Sequence, residues 1–507
     1  MTEVLAVHGI NYSAGTDMLI ANRAGTFKEF NNTTLEWDNV TSFSWSADYL
    51  IDSTNFLDHA FFVNGNDTNR SRNSSGTWST TTNLTDAPLA NRIRAHNLRI
   101  YLGGVKINST WYRSRVWFSD LPKNGQITWG LETGTDLSQS AGSAVVTSSG
   151  AAFIARNIKV GDPFVIEDGA NAGEYVVRSI DSATQITLTT NLASSASNST
   201  FWVGGNFFDV NTDDGDIVVG FGGNANELLI FKKLSAHRFN DSAQTLRQIK
   251  RDPGTTSFRS VVDLNEYTYY YDSKTDAIRR YDSNSSRAMI LSNAIEDILP
   301  YISDSMRENV VGWSHSGKIV EFYLGDITTR DGFFIRNCVV SWDTITQTWS
   351  TRSLPFTVEA SGEWERNDKF NTYVGTSNAH ILKVNDGNNY DGKAIGFIMQ
   401  DSPIFPVGHD TAVTFESIRL LTEGASGIQV MARILYMPDP QGIRWSHSDW
   451  FSLKGTADSD MVEFVFPNNA ATPRRGTGVQ FRFLESSQEK TFLIEEYIVY
   501  YSSPAIR

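Results

Sequence analysis

The sequence predicts an all-β chain assembled from repeated short antiparallel units, and three observations carry that expectation. Aromatic side chains make up 12% of the 507 residues while charged ones make up only 20%, a balance suited to pleated, half-buried surfaces. Short β-branched, aromatic and aliphatic runs are closed again and again by Gly, Asn, Asp or Ser, the sequence form of strands joined by tight turns. No long Ala, Leu, Glu and Lys stretch interrupts them. The chain is long enough for several domains or one large repeat array.

Taken in order, the first unit runs from Val4 to Val40. Met18-Leu-Ile-Ala-Asn-Arg-Ala-Gly-Thr-Phe-Lys-Glu-Phe reads there as strand, turn and strand, and Thr34-Leu-Glu-Trp supplies a third. The second unit, Asp52 to Thr82, holds Phe56-Leu-Asp-His-Ala-Phe-Phe-Val, closed by an Asn-Gly turn. The third, Asn91 to Gly130, contains Leu98-Arg-Ile-Tyr-Leu-Gly-Gly and Arg115-Val-Trp-Phe. Residues 136–203 then break the pattern. They are rich in Ser, Thr and Ala and carry about five short strands, which reads as a small inserted barrel-like β-domain in a surface loop. Pro163 at the start of one of these strands suggests an edge.

The fourth and fifth units occupy Asp216 to Ser283. They read Glu227-Leu-Leu-Ile-Phe-Lys, then His237-Arg-Phe, then Gly254-Thr-Thr-Ser-Phe-Arg-Ser-Val-Val, then Tyr267-Thr-Tyr-Tyr-Tyr-Asp and Arg279-Arg-Tyr-Asp. Ile295, Ile298, Leu299 and Ile302 recur at helical spacing around Pro300 and predict a short helix over 291–302. The sixth unit, Val310 to Arg352, ends in Ser341-Trp-Asp-Thr-Ile-Thr-Gln-Thr-Trp, the form of an outer hairpin in a kelch-type propeller blade, and Gly362 to Met399 makes a seventh. With the insertion removed, units start every ~40–50 residues, the spacing of β-propeller blades. From Asp410 the character shifts to longer alternating strands such as Ile428-Gln-Val-Met-Ala-Arg-Ile-Leu-Tyr and Gly478-Val-Gln-Phe-Arg-Phe-Leu, the pattern of an antiparallel β-sandwich. The expected organisation is a propeller of about seven blades over 1–135 and 204–404, the inserted domain over 136–203, and a jelly-roll-like sandwich over 405–507.

The order of motifs in Asp216 to Ser283 resembles the β-propeller blades of the tail nozzle, or tail hub (tail tubular), proteins of tailed bacteriophages. That resemblance covers roughly the first 400 residues. It implies a structural virion protein of a short-tailed phage, assembled in the host cytoplasm. Copies of it, six by the resemblance, would form a ring beneath the portal and adapter. The ring would extend the DNA conduit, retain the genome and anchor tail fibres. The first residues already read as a blade strand, so no separate platform for docking the ring is visible.

Composition limits the chemistry. The formal charge of −14 disfavours tight binding to a phosphate backbone, so double-stranded DNA is expected to pass without being gripped. No apolar run is long enough to span a membrane as a helix, and no signal peptide is evident. The single cysteine, Cys338, lies in an apolar run and reads as a small buried hydrophobe. Gly312-Trp-Ser-His-Ser-Gly lacks the spacing of a nucleophile elbow. Asp209-Val-Asn-Thr-Asp begins like a calcium loop, but its glycine is displaced to Gly215 and Gly220 stands where a glutamate ligand belongs. The expectation is no catalytic residue, no metal and no cofactor.

Two features point to binding. Between Ser179 and Phe231 no Lys or Arg occurs, whereas Asp209, Asp213, Asp214 and Asp216 all do. This acidic patch is a candidate channel lining that repels passing DNA. Trp111, Tyr112, Trp445 and Trp450 are candidates for stacking on sugars in an alternative reading, a receptor- or glycan-binding module of a tail tip or fibre. A second alternative, a propeller glycosidase, would need paired carboxylates.

Overall fold

A computed structural model describes residues 3–13, 17–224, 227–249, 253–283, 285, 287–330, 332, 334–366, 369–384, 396–400, 404–407, 411–423, 428–438, 445–455, 461–467, 474–485 and 493–502. The protein is all-β, with many four-stranded antiparallel sheets of propeller-blade type and one closed six-stranded barrel. It divides into two compact units. The first comprises Met1–Asn293, Arg307–Gly317 and Glu359–Ile381; the second comprises Ala294–Met306, Lys318–Val358 and Leu382–Arg507.

In three four-stranded sheets of the first unit, burial falls from the first strand to the last. Val4–Ile10, Met18–Arg23, Thr26–Asn31 and Glu36–Asn39 form the first sheet. Its opening strand is almost wholly buried and its last shows mainly exposed side chains. The same gradient recurs from Val218–Asn224 out to Thr245–Gln248 and from Val262–Leu264 out to Arg287–Ile290. Apolar residues at the buried ends supply the core, while polar residues cover the outer edges that would otherwise invite further pairing.

One strand from each of seven sheets takes part in a cycle of contacts: six are the first strand of their sheet, and the seventh, Lys369–Thr376, is the middle strand of its own. Val4–Ile10 packs on Asp52–Phe56, and that strand on Leu89–His96, which in turn packs on Val218–Asn224. Val262–Leu264 and Val311–His315 continue the series to Lys369–Thr376, which packs back on Val4–Ile10. Close approach at the closing contact requires glycine. A Cβ on Gly9 would stand 2.2 Å from the Glu363 carbonyl oxygen, and one on Gly362 would stand 2.2 Å from that of Val7. Arginines of Leu89–His96 tie its sheet to the next two in the cycle. Arg92 Nε donates to the Val219 carbonyl with its guanidinium 3.8 Å from the Phe258 ring centroid, and Arg94 pairs with Asp263.

A turn repeats at four hairpins and was not recognised as a repeat from sequence. Phe30-Asn31, Phe239-Asn240, Tyr271-Asp272 and Trp342-Asp343 each end a strand. The Asn or Asp Oδ1 then accepts backbone N–H groups two or three residues on: Thr33 and Thr34, Ala243, Lys274 and Thr275, or Ile345 and Thr346. The fifth residue of each turn (Leu35, Gln244, Asp276 or Gln347) has φ between 47° and 59°. Asn and Asp favour this geometry because their short side chains replace the amide partners that the reversing backbone gives up.

The inserted domain is the closed barrel, with strands Glu132–Gln139, Val145–Thr147, Pro163–Ile166, Gly173–Ile180, Gln185–Leu188 and Ala196–Val203. It begins four residues before the expected Asp136 because Glu132, Thr133 and Gly134 already pair with Val203, Trp202 and Phe201. The Pro163 strand is not an edge, since it pairs with Gly173–Ile180 on one side and Ala196–Val203 on the other. As the first residue of its strand, Pro163 sits where a missing N–H costs little. The chain enters the barrel after the third strand of a sheet, Thr110–Phe118, and returns to supply its fourth, Phe207–Asp209. The insertion therefore lies inside one blade-like sheet.

The helix expected over 291–302 is replaced by two 3-10 turns, Ser292–Ile295 and Leu299–Tyr301, and a four-residue α-helix, Asp304–Arg307. Pro300 removes an N–H donor and breaks the run into single turns. In the second unit, Ile319–Thr328, Phe334–Asp343 and Thr348–Ser353 continue through Gly396–Gln400 into Gly478–Glu485 and Gln429–Pro438. Strands expected beyond residue 405 thus share a hydrogen-bonded sheet with Ile319–Thr328, Phe334–Asp343 and Thr348–Ser353, and the expected boundary at 404/405 does not separate them. Val413–Glu423 pairs with Met461–Val465 and Leu493–Ser502 in a second sheet. Phe415, Ile418 and Leu420 share a core with Val430, Ile434, Phe481 and Phe483. Cys338 is fully buried in this unit, and burial pushes its thiol pKa well up.

Candidate functional site

The structure brings two features that are far apart in sequence into one cleft of the first unit. The strand Thr110–Phe118 pairs regularly with Arg99–Ile107 until Tyr112 faces Val105 and Val116 faces Gly103. Three residues, Arg113, Ser114 and Arg115, therefore stand opposite the single Gly104. Such a bulge bends the strand and re-aims its side chains. Gly104 takes φ +59°, and a Cβ there would meet Asn91 Nδ2 at 3.3 Å. The segment that follows Phe207–Asp209 lies along the bulge. Val210 N donates to Ser114 O at 2.9 Å, and Ser114 Oγ donates to Asp216 O at 2.7 Å. Between them is a cleft of about 310 Å³ whose lining includes Trp111, Tyr112, Arg113, Arg115, Asp209 and Asp216. That is the lower end of the size range for small-ligand sites.

The acidic stretch carries less free charge than its sequence suggests. Arg115 donates Nε to Asp209 Oδ1 at 2.8 Å and Nη2 to Oδ2 at 2.9 Å, a two-point pair. Lys232, with no exposed surface, donates Nζ to Val210 O at 2.8 Å, Asn211 O at 2.9 Å and Asp214 Oδ1 at 2.5 Å. Burial works against ionisation of Asp214, but the Lys232 bond and the Asp216 N–H outweigh it and hold its pKa below the usual value. Asp216 is 7% exposed and accepts the backbone N–H groups of Ile217, Lys233 and Leu234. The side chain of Asp213 lies outside the described residues. These carboxylates stabilise a loop, and of the three described only Asp209 and Asp216 line the cleft.

Arg115 is held from several sides. Its guanidinium carbon lies 3.8 Å from the Phe207 ring centroid and 4.3 Å from that of Tyr112. Its Nη1 is buried with no hydrogen-bond partner among the described residues. Tyr112 Oη accepts from Trp202 Nε1 of the barrel at 3.1 Å. Arg113 is exposed and has no ion-pair partner among the described residues. Sequence reasoning selected Trp111, Tyr112, Asp209 and Asp216 separately but missed both arginines. The available signal was the Gly103-Gly104 pair in mid-strand, which marks a bulge.

Other candidates lie elsewhere. Trp450 packs in the second unit against the guanidinium groups of Arg433 and Arg482, 4.9 and 4.0 Å from its ring centroid. The side chain of Trp445 is outside the described residues. In Gly312-Trp-Ser-His-Ser-Gly, Ser314 belongs to the strand Val311–His315 and donates Oγ to Glu363 Oε1 at 2.6 Å. Among the described residues no three His, Cys, Asp or Glu side chains gather as a metal site.

No family model matches the chain, and no curated protein is significantly similar to it. Among solved structures it is similar to the computationally designed Ika8 protein, in a crystal structure described as crystal packing No.1 in P63. The identity is 11% and the TM-score 0.34, over 75% of this chain and 95% of that one. A likeness this distant carries no functional information.

Proposed function

We propose that the chain is a structural component of a virion, the tail nozzle or hub protein of a short-tailed bacteriophage, built on a seven-bladed β-propeller. The observation that carries this reading is the cycle of contacts among one strand from each of seven sheets, three of which grade from a buried first strand to an exposed last one. Nested sheets closed in this way make a rigid body whose surfaces are free to contact neighbours. The blade motifs of residues 216–283 add the resemblance to phage nozzles. In this reading several copies, six by the resemblance, form a ring that continues the DNA conduit below the portal and adapter, and tail fibres attach to it. Repulsion of DNA would come from the overall charge of −14 more than from Asp209, Asp214 and Asp216, which are paired internally. No cofactor is required. Negative-stain microscopy and light scattering on the purified chain test ring formation. Closed rings of uniform copy number are expected; a monomer at every concentration and with adapter present would contradict it.

One observation favours a second reading, recognition of a saccharide on the host surface. The cleft combines the Tyr112 ring with an arginine–carboxylate pair, the mixture of ring surface and fixed polar groups that sugars require. Both lining carboxylates are already engaged by donors, which suits binding better than the acid and base roles of hydrolysis. A glycan array with full-length protein and a Tyr112→Leu control tests it. Hits that disappear with the variant are expected, and an array without hits would exclude it.

A further inference from the structure

We propose that the cleft beside the strand bulge takes an acidic saccharide, with Arg113 receiving the sugar carboxylate and Tyr112 lying against the ring. This rests on the second reading above, that the cleft binds a sugar, and adds the class of sugar. The argument is a charge inventory. Asp209 is neutralised by Arg115, and Asp214 by Lys232. Asp216 is buried and satisfied by three backbone N–H groups. Glu167 and Glu174 act on Tyr112 electrostatically, but neither lines the cleft. The three N–H groups do not cancel the Asp216 charge, but it lies buried inside the loop; the exposed charge at the lining that has no ion-pair partner among the described residues is that of Arg113.

The donors also exceed the acceptors. Arg115 is 8% exposed, and its Nη1 has no partner among the described residues. A ligand oxygen, or a water carried in with it, would satisfy that N–H. Tyr112 Oη accepts from Trp202 and keeps its own proton to donate. Arginine suits a carboxylate because its planar fork presents two parallel N–H groups to the two oxygens. The bulge is what places these groups together. With regular pairing, alternation along the strand would point Tyr112 and Arg113 to opposite faces.

The test is titration calorimetry on the full chain with four probes: trigalacturonate and 3′-sialyllactose as acidic sugars, maltotriose and lactose as neutral ones. At least one acidic probe should bind about tenfold or more tightly than its neutral counterpart. Arg113→Ala should remove that advantage and leave the neutral affinity and the melting temperature as they were. Tyr112→Leu should weaken acidic and neutral probes alike. Equal affinity for acidic and neutral probes, or an Arg113→Ala variant that keeps the preference, would overturn the acidic-sugar inference while leaving the saccharide reading intact. No binding of any probe would overturn both.

Discussion

Lys232 offers the most demanding test of how the cleft is held. It is a fully buried ammonium whose three donors reach two carbonyls and one carboxylate of the 210–214 segment. Lys232→Met keeps the length and apolar stem but deletes the charge. The Asp214 side chain is 35% exposed, so water replaces most of its lost bond. The Asn211 carbonyl belongs to an exposed residue and is rehydrated too. The Val210 carbonyl belongs to a residue with no exposed surface and is left with an unmet acceptor. A hydrogen bond to a charged donor contributes roughly 1.5–3 kcal/mol, and breaking a buried pair costs more, so a total of about 2–4 kcal/mol is expected.

Because the chain has more than one unit, global unfolding need not be two-state, and local hydrogen exchange is the better readout. Exchange at the amides of Val210, Asp216 and Ile217 should speed up by about 30- to 1,000-fold, the equivalent of that energy. Asp214→Asn should have a smaller effect, about 1 kcal/mol, because Lys232 keeps both carbonyls. Lys159→Met is the control. That lysine is half exposed and 3.7 Å from Asp120, so less than about 0.5 kcal/mol is expected. If Lys232→Met exchanged like the parent protein across 210–217, the assignment of Lys232 as the anchor of the loop would be wrong.

Other outcomes follow from the same structure. Asp272 is fully buried and accepts Arg279 Nε at 2.7 Å as well as two turn amides. Asp272→Ala should therefore cost roughly 3–5 kcal/mol by denaturant titration, against about 1 kcal/mol for Asn31→Ala in the equivalent turn. Acidification should destabilise the first unit. Burial lowers the pKa of His8 to about 4 against the hydrogen bond its ring donates to Asn55 Oδ1, and burial with the Lys232 charge lowers that of His237 to about 4. As pH falls through about 6.5 the unfolded imidazoles take up protons first, so this stability is present above about 6.5 and lost progressively towards 4. The loss between pH 6.5 and 5 should be on the order of 1–2 kcal/mol for each histidine, seen as a falling denaturant midpoint. Cys338 should not react with a thiol reagent in native protein and should react fully once the second unit unfolds, because its thiol is buried and its pKa is pushed up.

The sequence exposes what is local. Repeated four-stranded blade-like sheets were legible because short apolar and aromatic runs close again and again on turn residues. The insertion was legible because its composition changes, although its start at Glu132 rather than Asp136 depends on pairing with Val203 that only folding reveals. Long-range partners were not legible. The acidic run from Asp209 to Asp216 looked unopposed because Arg115 precedes it by more than ninety residues along the chain and because Lys232, just past the cation-free stretch, reaches back to Asp214. The cleft itself depends on a register shift opposite Gly104. Period alone also misled at 291–302, where apolar spacing fitted a helix but Pro300 allows only single turns.

The central claim is that this propeller-like chain is part of a phage tail conduit. Gold-labelled antibody to the chain, applied to particles from the source culture and viewed by electron microscopy, tests it most directly. Label on the tail axis immediately beneath the capsid is the predicted result. Label confined to fibre ends, or particles that carry none, would contradict it.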